Sequence, residues 1–212
     1  MINNDDIDQI MVAQNTLQSG GVLLYPTETI FGLGCDALQY DAVQKVREMK
    51  SRPDNKSFLV LCSSLDQVRK DFELTQAEDE FLSKLWPAPC TVVLRPKHHK
   101  LKDLCSESGG LGVRWSSHPL LTKLFEKWDG YLLSTSANLS GESYSDTQGH
   151  LESIFKDKVD MIIGLEEHYK LMGQRDVVLP SSVIQLEPEF QVFRSGAIDS
   201  NELKHHWHNT IS

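Results

Sequence analysis

Long apolar runs are missing from this chain. None approaches the roughly 18 residues that a helix needs to cross a bilayer, so the sequence offers no membrane span. Its opening, Met1-Ile2-Asn3-Asn4-Asp5-Asp6, lacks the basic and apolar regions of a signal peptide, and a cytoplasmic protein is expected. Cysteine is scarce and scattered. Cys35, Cys62, Cys90 and Cys105 form no Cys-x-x-Cys pair, whereas zinc or a disulfide framework would want closer spacing. They read as buried free thiols, with Cys62 and Cys90 inside strands. Positive charge is also in deficit: 21 Lys and Arg against 30 Asp and Glu give a formal charge of -9. That balance argues against a long nucleic-acid track.

No repeat or low-complexity tract interrupts a composition that is 40% hydrophobic and 24% charged. No Pro/Gly/Ser linker divides the chain either, so residues 1–212 read as one domain with a short C-terminal tail at about 197–212. His205, His206 and His208 lie in that tail and read as a polar terminus, not a metal site. The common signatures are absent too. There is no Gly-x-x-x-x-Gly-Lys-[Ser/Thr] loop, no Gly-x-Gly-x-x-Gly after a strand, no Gly-x-Ser-x-Gly elbow and no zincin or kinase motif. No aromatic-rich basic stripe points to stacked single-stranded RNA.

What stands out against this background is Lys50-Ser51-Arg52-Pro53-Asp54-Asn55-Lys56, three cations around a helix-ending proline. Local positive charge in an acidic chain fits a pocket for a small anion, with phosphate the leading candidate. Cations complementing a helix C-terminal dipole would look the same. Both readings stand on this run alone.

Hydrophobic spacing predicts helices over 4–18, 40–50, 64–71, 75–85 and 118–128, with mixed loop and helix at 140–158. Apolar runs predict strands at 22–25, 58–62, 90–95, 111–115, 131–135 and 161–163, and a closing pair at 182–186 and 191–194. Pro26 to Gly34 reads as a loop. Strands interleaved with helices define an α/β sheet.

The segments that follow or end these strands share hydroxyls, glycines and single cations. They are Thr27-Glu28-Thr29, Arg114 at the end of Leu111-Gly112-Val113-Arg114, Ser134-Thr135-Ser136-Ala137-Asn138-Leu139-Ser140-Gly141, and Arg194-Ser195-Gly196. Strand ends are where α/β proteins gather ligand contacts. Side chains of these types can meet phosphate oxygens, or the amino and carboxylate groups of a ligand.

Taken in order, these segments resemble the YrdC-like family of L-threonylcarbamoyladenylate synthases in its short form, from Gly21 to Gly196. Tyr25-Pro26-Thr27-Glu28-Thr29 with Phe31-Gly32-Leu33-Gly34-Cys35-Asp36-Ala37 is similar to the first signature, and Lys50-x-Arg52-Pro53-x-x-Lys56 to the second. The Ser134–Gly141 run is similar to the third, while Pro180-Ser181-Ser182-Val183 and Phe193-Arg194-Ser195-Gly196 resemble the closing motifs. The tetrad Lys50, Arg52, Ser136 and Asn138 matches the family's Lys-x-Arg…Ser-x-Asn pattern. Three positions depart from the family's motifs: Ala88 stands where glycine is usual, Ser116 where a proline commonly follows the arginine, and Leu61 where some members place a polar side chain near threonine.

The resemblance implies a single-domain twisted mixed β-sheet with flanking helices, and a nucleotidyltransferase reaction. L-threonine, bicarbonate and ATP, carried with Mg²⁺, would give threonylcarbamoyl-AMP and pyrophosphate for the t6A modification beside the tRNA anticodon. It implies Lys50 and Arg52 as catalytic residues. Arg52, Lys56, Ser136, Asn138 and Arg194 would bind ATP, and Thr29, Arg114, Ser134 and Ser181 would bind threonine, with no protein metal ligand. Among partners it implies a downstream threonylcarbamoyl transferase complex, and it leaves room for weak contact with tRNA or double-stranded RNA. The competing readings are a double-stranded RNA-binding module, a carbamoyl-adenylate-forming relative of the hydrogenase-maturation carbamoyltransferases, and a paralogue performing a different adenylylation.

Overall fold

The computed structural model describes residues 4–50, 58–138, 148–164 and 179–212. In α1 (Asn4–Gln18), Ile10, Ala13 and Leu17 recur at three- and four-residue steps and form a buried stripe. Gly20 follows in the left-handed region at φ 75°, where a side chain would be strained, and the helix stops.

Ten strands follow among the described residues: β1 (Leu23–Tyr25), β2 (Gly32–Gly34), β3 (Leu59–Leu61), β4 (Phe72–Glu73), β5 (Cys90–Pro96), β6 (Leu111–Arg114), β7 (Leu132–Ser136), β8 (Met161–Ile162), β9 (Ser182–Gln185) and β10 (Gln191–Arg194). They form one sheet in the order β10-β9-β5-β6-β3-β7-β2-β1-β8, with β4 paired to β5. The β1–β8, β3–β6 and β5–β9 pairs are parallel and the others antiparallel, so the sheet is mixed, as the resemblance implies. Around it lie α2 (Tyr40–Met49), α3 (Leu65–Asp71), α4 (Gln76–Leu85), a 3-10 helix (His99–Leu104), α5 (Pro119–Lys127), α6 (Gln148–Phe155) and α7 (Ser200–Ile211).

Because successive strand residues face opposite ways, each strand divides its side chains between two environments. Leu24, Leu33, Val60, Val92, Val113, Leu133 and Ile184 share one core with Val46 of α2, Val68 of α3, Phe81 of α4, Phe155 of α6 and Trp207 of α7. On the other face, Leu23, Tyr25, Leu61 and Leu132 pack against Ile10 and Leu17 of α1 and Leu121 and Leu124 of α5. These helices cover only part of that face. Along β7 the change is visible within one strand: Leu132 lies under the helices, and the next residues on its side, Ser134 and Ser136, line an open cleft.

Three differences from the sequence expectation have simple causes. The expected loop at 26–34 ends in β2, whose residues are Gly-Leu-Gly and carry little strand propensity. Glycine is needed there: a Cβ at Gly34 would lie 1.8 Å from the Leu133 carbonyl oxygen. β4 is only two residues long and gives no periodic signal. The expected polar tail is instead α7, capped by Asp199, whose carboxylate accepts from the Asn201 and Glu202 amides at 2.9 and 3.2 Å. Leu203 and Trp207, one helical turn apart, carry it into the core, and Trp207 meets Phe81 edge-on at 5.7 Å.

Cys35, Cys62 and Cys90 are buried free thiols and Cys105 is half-buried. Burial pushes Cys35 and Cys90 up to about 12, and Cys62 is also raised by burial, so these three stay protonated at neutral pH.

If α7 belongs to the core, Trp207→Ala should destabilise the protein by about 3 kcal/mol, the range for deleting a large buried aromatic. Urea unfolding checks this; a change below about 0.5 kcal/mol would mean that α7 is dispensable.

Candidate active site

The uncovered part of the sheet forms the floor of a cavity of about 460 Å³. Its lining runs from Gly32 on β2, through Ser136 and Ser134 on β7, Leu59 on β3, Gly112 and Arg114 on β6 and Thr91 and Val93 on β5, to Val183 on β9 and Phe193 and Arg194 on β10. The loop between β1 and β2 supplies Thr27 and Thr29.

Arg114 is the most demanding of these residues, a guanidinium only 4% exposed. Nη2 lies 2.8 Å from Glu28 Oε1, and Nη1 donates to Thr29 Oγ1 at 3.1 Å. Nε makes no hydrogen bond among the described residues. Glu28 is held in turn by Ser116 Oγ, which donates to Oε2, and by the Ser117 amide, which donates to Oε1 at 3.3 Å. Burial pushes the Glu28 carboxyl up, but the Arg114 guanidinium and the Ser116 hydroxyl outweigh it and hold the group below the usual glutamate range. The loop itself is set by Thr27 Oγ1, which donates to the Ile30 carbonyl at 2.7 Å and accepts from the Thr29 amide at 3.1 Å.

Toward the β10 edge, Arg194 Nε donates to the Ser181 carbonyl at 2.9 Å and Nη2 donates to Ser181 Oγ at 3.0 Å. Ser181 Oγ also lies 3.0 Å from Thr91 Oγ1, which joins β5, the segment before β9 and β10 through side chains. At the β7 end, Ser136 Oγ donates to Asn138 Oδ1 at 2.6 Å. Lys50, the C-cap of α2, reaches this turn. Its Nζ donates to the Ser136 carbonyl at 2.9 Å, to Asn138 Oδ1 at 3.0 Å and to the Asn138 carbonyl.

The cleft therefore gathers Thr29, Arg114, Ser134, Ser136, Ser181 and Arg194, drawn from segments as far apart in sequence as the β1–β2 loop and β10. Asn138 adjoins it through Ser136. Lys50 is 7% exposed and does not line the cavity, and its ammonium braces the Ser136–Asn138 turn. Arg52 and Lys56 lie outside the described residues. Glu28 and Ser116 join the site without a motif signal of their own: Glu28 acts through Arg114, and Ser116 through Glu28.

A sheet face left open, polar and armed with guanidinium groups defines an α/β protein built to hold a small anionic ligand at its strand ends. The comparisons are specific. A family model described as telomere recombination, covering Sua5, YciO and YrdC, matches residues 15–196. The threonylcarbamoyl-AMP synthase of Xanthomonas campestris pv. campestris is 35% identical over 166 residues, covering 77% of this chain and 87% of its own. That of Xanthomonas oryzae pv. oryzae is 37% identical over 151 residues, covering 70% and 81%. The likeness extends to solved structures: P. abyssi Sua5 complexed with L-threonine superposes with a TM-score of 0.80 at 25% identity. That match covers 93% of this chain but 57% of Sua5, so the chain spans little more than half of that relative. E. coli YciO, at 24% identity and a TM-score of 0.79, shares the fold over 91% of both chains. The chain belongs to the Sua5/YciO/YrdC family.

Because the folded state depresses the Glu28 carboxyl, its contribution to stability is present above the ordinary glutamate value of 4.5 and is lost as pH falls through the lower folded value. Glu28→Gln should cost about 3 kcal/mol at pH 7 by leaving Arg114 short of its counter-charge. The gap from wild type should narrow steadily below about pH 4.5. Denaturant unfolding at pH 7 and pH 3.5 checks this, and a pH-independent gap would mean that the pair contributes no ionic stability.

Proposed function

We propose that this protein is a threonylcarbamoyl-AMP synthase, a nucleotidyltransferase using L-threonine, bicarbonate and ATP. One observation carries the reading: a buried guanidinium with an unsatisfied Nε shares a cleft with a hydroxyl–amide turn braced by a lysine. Two kinds of anion can be met there side by side. The similarity to synthases in Xanthomonas and to a Sua5 complexed with L-threonine supports the same assignment.

In this reading Arg114, held at one geometry by Glu28 and Thr29, receives the threonine carboxylate through its pre-oriented donors. Thr29, Ser134 and Ser181 surround the amino acid with hydroxyls. The amine combines with carbon dioxide from bicarbonate, losing a proton, to give a carbamate. A carbamate oxygen attacks the α-phosphorus of ATP, the bond from that phosphorus to the bridging oxygen breaks, and pyrophosphate leaves. An oxyanion nucleophile needs no strong general base, so positioning and charge stabilisation supply the catalysis. Arg52, Lys56, Ser136, Asn138 and Arg194 serve the nucleotide, and Lys50 holds Ser136 and Asn138 in place. In this reading Mg²⁺ enters with ATP as its counter-ion. No helix among the described residues is long and apolar enough to cross a membrane. The product is a mixed anhydride, and its consumer in this reading is the transferase that modifies tRNA. A formal charge of -9 argues against an extended RNA-binding track.

The test is pyrophosphate release by purified protein with ATP and Mg²⁺, with threonine and bicarbonate each added or withheld. Release that requires both is the expected outcome; no release, or release indifferent to threonine, would overturn the reading. Arg52→Ala and Lys56→Ala should each lower that rate by about a hundredfold or more, the scale of losing one preorganised charge contact, with the thermal unfolding midpoint unchanged.

A further inference from the structure

Among the described residues, one buried hydroxyl lacks a hydrogen-bond partner: Tyr25 Oη. The ring belongs to the core under α1 and α5 and is wholly buried. Keeping a polar group out of water without a partner is costly. Phenylalanine would fill the same space without that cost, so packing alone does not account for a tyrosine at this position.

The sheet shows where the hydroxyl is aimed. Tyr25 on β1 pairs with Gly32 on β2, and Gly32 pairs in turn with Ser136 on β7. β2 lies between the other two strands, and its two glycines leave a trough across it. The tyrosine ring fills that trough. A Cβ at Gly32 would come within 2.6 to 2.9 Å of the ring Cε2, Cζ and Oη, and one at Gly34 would lie 3.0 Å from Oη. Two residues before Ser136, on the same face of β7, is Ser134, the side chain placed to hydrogen-bond the phenol. Ser134 lines the cavity and Tyr25 does not, so the tyrosine can reach a ligand only through the serine.

We propose that Tyr25 is a positioning residue for the amino-acid end of the cleft: with substrate bound, its buried hydroxyl donates to Ser134 Oγ and turns the Ser134 proton outward, toward an oxygen of the ligand. This rests on the synthase reading, which places L-threonine against Ser134. Burial raises the phenol well above its ordinary range, so it keeps its proton at neutral pH and has one to donate. A serine that accepts on its inner side must donate on its outer side, and the two bonds polarise one another. In a cleft that receives anions, a hydroxyl fixed as a donor binds better than one free to rotate.

Tyr25→Phe, Ser134→Ala and the double variant test this, through the threonine and ATP dependence of pyrophosphate release and calorimetric titration with L-threonine. Tyr25→Phe should raise KM for threonine about fivefold, the scale of one lost hydrogen bond, and weaken threonine binding by the same factor. KM for ATP should not change. The unfolding midpoint of Tyr25→Phe should equal or exceed that of wild type, because the change removes only an unpaired hydroxyl. With Ser134 already alanine, adding Tyr25→Phe should cost nothing more. Unchanged threonine dependence would overturn the proposal. So would a loss that persists in the Ser134→Ala background, or a lowered unfolding midpoint, since the hydroxyl would then serve the frame and not the serine. Failure of the synthase reading is distinguishable, because wild type would then release no threonine-dependent pyrophosphate.

Discussion

Taking a guanidinium out of water costs several kcal/mol unless oxygens meet it on the inside, and Arg114 sits at the end of a central strand almost wholly buried. Much of the local architecture answers that demand. Glu28 supplies the counter-charge, Thr29 an acceptor, and Ser116 and the Ser117 amide hold Glu28 to its task. These groups come from the β1–β2 loop and the turn after β6, so the pair also fixes how the loop folds over the sheet. The result is a charged side chain in a low-dielectric site with little freedom to swing.

The sheet reconciles an acidic protein with an anion site. Among the described residues, one face packs against α2, α3, α4, α6 and α7, and the other packs against α1 and α5 over β1, β3, β7 and β8. The remaining floor interleaves Ser, Thr, Gly and Arg with apolar residues such as Leu59, Val93 and Val183. Net charge governs long-range attraction, but recognition is settled within hydrogen-bonding distance. A chain can therefore be negative overall and still hold phosphate where cations are concentrated and oriented.

How much of this the sequence discloses depends on whether the signal is local. The helices at 40–49 and 76–85 and the strands at 59–61 and 90–96 follow from apolar spacing, because packing there obeys one period. β2 does not, since a contact with the Leu133 carbonyl selected glycine over any strand-forming residue. α7 was hidden by its histidines: its only buried side chains are Leu203 and Trp207, a helical pair too sparse to outweigh the polar run. In the site, the hydroxyl and arginine positions were legible as motifs at strand ends. Glu28 was not, because its function is to satisfy Arg114, a partner 86 positions away in the chain that no local pattern reveals.

Lys50 carries a consequence for how variants of this enzyme family should be interpreted. It caps α2 and also fastens the far end of β7, so one ammonium moors two elements that are remote in sequence. Arg52 and Lys56 follow Lys50 in sequence. A neutral residue at 50 would release the Ser136–Asn138 turn from the C-terminal end of α2. The kinetic damage would then resemble the loss of several ligand contacts at once, even though the ammonium itself binds the turn and does not line the cavity.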